Sequence, residues 1–126
     1  MGRFTGDGAL TFTPVVGEAF SEAVKPKGDR IILWVKVVDM GDATTIKPGI
    51  KAKKPGSADT ADAFEVWEAS ALVATGTAVY VLGRNVGAGG SYTAEIETVL
   101  PPDIYVTLDA DDVGYDVEVL VINPPK

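Results

Sequence analysis

The stretch Asp109-Ala110-Asp111-Asp112-Val113-Gly114 comes nearest to residues whose types and spacing could do chemistry. Oxygen ligands at alternate positions, followed by glycine, open a calcium loop of the D-x-[DN]-x-[DN]-G kind. Asp109, Asp111 and Gly114 fit that spacing. Val113 stands where a ligand oxygen is required, and Leu120 stands where the closing bidentate carboxylate should be. No helical pattern flanks the stretch. The helix–loop–helix reading fails, which leaves an acidic hairpin turn, or an irregular surface cation site at Asp109, Asp111 and Asp112.

The other stretches that could carry chemistry fall short as well. Gly83, Gly87, Gly89 and Gly90 fit neither a dinucleotide fingerprint nor a P-loop, since no Gly-Lys-Ser/Thr follows. They read as a flexible hairpin tip. The chain has no His, the commonest general acid and base, and no Cys. Among eighteen Asp and Glu, nothing marks out a hydrolytic carboxylate pair. The expectation is a non-enzymatic protein without cofactor or metal. Lys47, Lys51, Lys53 and Lys54 form a cluster that reads as a solvated edge strand, or as a contact for an acidic partner. Trp34 and Trp67 read as core packing rather than as an exposed aromatic platform.

Composition narrows the partners. A net charge of −7 argues against nucleic acid, which needs a basic footprint. The charge is uneven: residues 1–60 hold nine Lys or Arg and seven Asp or Glu, residues 61–126 two and eleven. With 46% apolar residues, the 126-residue chain can bury a core as one domain. The lack of Cys favours maturation in a reducing compartment. No apolar run is long enough to span a bilayer, and Met1-Gly2-Arg3-Phe4 lacks the apolar region of a secretory signal. No membrane is expected among the partners.

The elements that must position these residues are short strands. Arg30–Asp39 is apolar on both faces and reads as a buried central strand. Residues 44–53 alternate, with Ile46, Pro48, Ile50 and Ala52 inward, and Pro48 places this strand at an edge or bulge. Residues 64–70, 78–82, 92–100, 104–108 and 115–123 read as further strands. Residues 18–24 read as a short strand or a single helical turn. Turn residues recur about every ten positions, which predicts an all-β fold. The expectation is an antiparallel β-sandwich of Ig-like or jelly-roll topology, with about seven to nine strands over residues 16–126. Residues 1–15 read as a flexible N-terminal arm.

The run Trp67-Glu68-Ala69-Ser70-Ala71-Leu72-Val73-Ala74-Thr75-Gly76-Thr77-Ala78-Val79-Tyr80-Val81-Leu82-Gly83 resembles a segment of small virion proteins of tailed bacteriophages. The similarity continues through Val99-Leu100-Pro101-Pro102-Asp103-Ile104-Tyr105-Val106-Thr107-Leu108 and the closing Tyr115–Ile122 strand, so it covers roughly residues 30–122. Its motifs are strand-and-turn grammar. An Arg expected near the 101–105 strand is missing, with Asp103 and Tyr105 in its place. The resemblance implies a head decoration (cement) or minor capsid protein, localised to the virion head surface and assembled in the host cytoplasm. It also implies the major capsid protein as partner and self-association as a homotrimer. Arg3, Phe4 and Phe12 of the arm, with the four lysines, are the expected contacts. On that expectation, deleting residues 2–12 weakens capsid binding and leaves the melting temperature nearly unchanged. The alternatives are a tail, neck or fibre component, or a carbohydrate-binding or adhesion β-sandwich.

Overall fold

Short β-branched and aromatic runs between Gly, Pro and Asp make strands, and strands must bury one face against a second layer. The computed structural model describes residues 4–5, 8–84 and 92–122, with residues 4, 5 and 8 described by their backbone only. Two sheets pack face to face as an all-β sandwich. The first holds β1 (Phe4–Thr5), β4 (Val24–Lys25), β10 (Ile104–Ala110), β6 (Ile46–Ala52) and β7 (Phe64–Glu68) in that order, with β3 (Gly17–Phe20) also on β10. The second runs β2 (Gly8–Leu10), β11 (Asp116–Ile122), β5 (Arg30–Asp39), β8 (Gly76–Gly83), β9 (Ala94–Glu97). Pairing is antiparallel except for β1 with β4 and β8 with β9. Residues 18–24 make no helical turn; they supply most of β3 and the start of β4. A 3-10 turn, Thr60–Asp62, follows Asp59, whose carboxylate accepts the Ala61 N–H at 2.9 Å.

The core lies between the sheets. Ile104, Val106 and Leu108 of β10 face Ile31, Leu33, Val35 and Val37 of β5, all fully or nearly fully buried. Burying such side chains contributes about 1.5–3 kcal/mol each. Trp67 packs against this core and meets Tyr80 edge to face, 5.0 Å between ring centroids.

Four expectations change. First, β6 is not an edge strand, because β7 pairs outside it. Its register shifts between Ile50 and Lys51, so both Val66 and Trp67 reach the core from adjacent positions of β7. Pro48 is tolerated because its carbonyl, which accepts the Ala69 N–H at 2.7 Å, shows that its missing donor faces the end of β7 and not the long ladder to β10. Second, the glycine-rich segment is no hairpin tip. β9 runs parallel to β8, with Ala94 opposite Tyr80, so the two strands do not form a hairpin; residues 85–91, with three of the four glycines, lie outside the described residues. Third, the segment read as an arm is tied down in its described parts. β1 pairs with β4, β2 pairs with β11, Leu10 is 6% exposed, and Phe12 packs against the core. Fourth, the second face of β5 is not buried; it is described below.

Candidate interaction surface

The acidic turn works as a staple between loops. The Asp111 carboxylate accepts hydrogen bonds from the Thr44 N–H at 2.8 Å, the Thr45 N–H at 3.1 Å and the Thr44 hydroxyl. The Thr44 hydroxyl first, then the Thr45 and Thr44 N–H groups, hold its pKa below the ordinary carboxylate value. The Asp112 carboxylate accepts the Val113 N–H at 2.8 Å. Asp109 stands on β10 opposite Lys47 on one side and Glu18 on the other. The three candidate cation ligands thus have separate tasks. No group of three acids is placed to hold a metal among the described residues.

The lysine cluster divides in the same way. Lys47 and Lys51 lie on the outer face of the first sheet, interleaved with Glu18, Glu65, Glu68 and Asp109. Lys51 donates to Glu18 at 2.7 Å, and its ammonium stands 5.5 Å from the centre of the Phe20 ring. Desolvation, then the neighbouring Glu65 and Asp109, raises the pKa of Glu68, while Lys47 opposes the rise. Lys53 and Lys54 lie beyond the strand end. The four therefore form no single basic patch. Arg3 lies outside the described residues. Of Phe4 only the backbone is described, in β1.

The outer face of the second sheet is different. Register aligns Leu120, Trp34 and Val79 in one row across β11, β5 and β8. The next row is Ile122, Ile32 and Val81. Five of these six side chains are half-buried and Val81 is buried, yet none points into the core between the sheets. Trp34 is thus not a core residue, unlike Trp67. Lys36 and Glu118, paired across the strands, bound the patch at one end, and Glu95 of β9 bounds it at the side. One sequence signal could have found this face. Lys36 follows Trp34 by two and Glu118 precedes Leu120 by two, so one pleat face carries charge and meets water. In two open hollows, about 240 Å³ beside Asp29 and Arg84 and about 290 Å³ along Ala71–Ala78, the described lining residues form no constellation for nucleophilic or acid–base chemistry.

Comparison of the chain with protein-family models, curated proteins and solved structures finds no match.

Proposed function

We propose that this chain is a structural virion protein of a tailed bacteriophage, of the decoration type that binds the head shell and acts through surface contact. The observation that carries this reading is the outer face of the second sheet. A contiguous apolar patch of this kind marks an interaction site, not a site of chemistry. Its centre is uncharged, and copies that each carry −7 repel one another least across an uncharged surface. The face therefore suits contact between copies in a homotrimer, leaving other surfaces for the major capsid protein. The strand-and-turn resemblance of residues 30–122 supports the same reading.

The test has two parts. Light scattering should give a trimer mass for the wild type and a monomer mass for W34E at unchanged far-UV circular dichroism. The wild type should also pellet with head shells that lack it. A monomeric protein that stays in the supernatant would overturn the reading, and pelleting with tail fractions alone would move it to a tail, neck or fibre component.

The indole on an open sheet face favours a second reading, a carbohydrate-binding module. Its row neighbours Leu120 and Val79 offer no hydrogen bonds, which sugar recognition needs beside the aromatic ring. On this reading oligosaccharides would quench tryptophan fluorescence in the wild type and in W67F, but not in W34F.

A further inference from the structure

One end of the sandwich gathers exposed valines from separate loops. β5 and β10 finish there, and β3, β6, β8 and β11 begin there. Four loops close this end: residues 11–16, 40–45, 69–75 and 111–115. Hydrogen bonds link them. The Val15 N–H points to the Tyr115 hydroxyl at 3.4 Å, the Asp42 N–H donates to the Val113 carbonyl at 3.0 Å, and the Ile46 and Leu72 backbones bond each other. The Asp111 staple joins the second loop to the fourth. Each loop with an exposed valine displays it from this common base: Val16 is 67% exposed, Val73 69%, Val113 39% and Val15 36%. Val38, also exposed, stands at the adjoining end of β5.

Valines are the aliphatic side chains that folding ordinarily removes from water. Here three loops at one end of the sandwich leave them exposed. The charge of the loops at this end is of one sign, with Lys36 and Lys47 set back along the strands. Asp39, Asp42, Asp111, Asp112 and Asp116 lie in or beside these loops, which contain no Lys or Arg. The opposite end is mixed, with Lys25, Lys27, Arg30, Lys53, Lys54 and Arg84 set among Glu22, Asp29, Asp59, Asp62 and Asp103.

We propose that the valine- and aspartate-bearing end is the surface that docks the partner, and that the partner offers an apolar patch ringed by Lys or Arg. A second copy is the poorer occupant, because the chain is acidic overall and its other end carries both signs. The inference rests on the reading as a shell-binding protein, for which it names the docking end and the chemistry of the site on the shell. The uncharged sheet face joins like copies, and the acidic end meets a basic partner.

Two measurements separate the inference from the reading beneath it. In the first, V16S/V73S and D42N/D116N are compared with the wild type in shell pelleting, with melting temperature and trimer mass as controls. The valine pair should weaken binding about tenfold or more, the loss of burying two aliphatic groups. The aspartate pair should flatten the salt dependence of binding. Variants that pellet like a pelleting wild type overturn the inference and leave the function standing. In the second, the wild type is titrated with an amphipathic lysine–leucine peptide and amide shifts are followed by NMR. Shifts confined to the four loops support the inference even where the wild type fails to pellet, a failure that would overturn the shell-binding function alone. Shifts elsewhere, no shifts, or loop shifts that depend on protein concentration without peptide overturn it.

Discussion

At the scale of single residues, Gly41 shows how closely the loops at this end are built. Its φ is +59°, and a Cβ there would lie 2.2 Å from the Gly114 carbonyl carbon. Only a residue without a side chain allows the two turns to touch. Gly41→Ala should lower stability by roughly 2–4 kcal/mol, measured by urea denaturation, because strain and overlap add. Asp111 gives a pH signature. Its folded pKa is depressed, so its contribution is present above the ordinary carboxylate pKa and is lost as pH falls through the folded value. Asp111→Asn should melt below the wild type at neutral pH, and the two should converge in acid. A constant difference at all pH values would show that Asp111 acts without its charge. The break in the ligand pattern at Val113 and Leu120 was legible in the sequence, but the hairpin read there is not what forms: β10 and β11 lie in different sheets, and the acidic turn crosses between them. What the carboxylate binds instead was not legible, because Thr44 is 67 positions away.

At the scale of elements, the N-terminal segment is where sequence and structure part. Three glycines in the first nine residues read locally as a mobile arm. Gly8–Leu10 nonetheless completes the edge of the second sheet, with Leu10 opposite Val119 and buried beneath it. Leu10→Ala should cost roughly 2–4 kcal/mol, and the melting temperature should fall by about 10 °C. Removal of residues 2–12 should cost at least as much, contrary to what a free arm would give. An unchanged melting temperature after that deletion would restore the arm. Alternation in Ile46–Ala52 and Ile104–Ala110 was readable because each strand has one apolar and one polar face. Strand β5 was readable as central, and only Lys36 hinted that it is one-sided. Ile32 and Trp34 carry the same apolar signal whether a second layer covers them or water does.

At the scale of the whole molecule, the proposals give the two surfaces opposite responses to salt. Copies meeting across an uncharged sheet face repel through their net charge, so raising salt from about 0.05 to 0.5 M should favour the trimer. Docking of the acidic end to a basic partner should weaken over the same range. Light scattering and pelleting across one salt series check both. A parallel response of the two would show that a single surface serves both contacts.

The sequence by itself determined the strand content, the inward rows of Ile104, Val106 and Leu108 and of Val119 and Val121, and an acidic turn that lacks the spacing of a calcium loop. These are local properties, set by residue type and a period of two. Only the tertiary structure decided that β9 runs parallel to β8, that Trp34 faces outward, and that the loops bearing Val16, Val73 and Val113 lie at one acidic end. Each depends on pairing between distant segments. Alternation divides a strand into two faces, and what covers each face is settled by partners elsewhere in the chain.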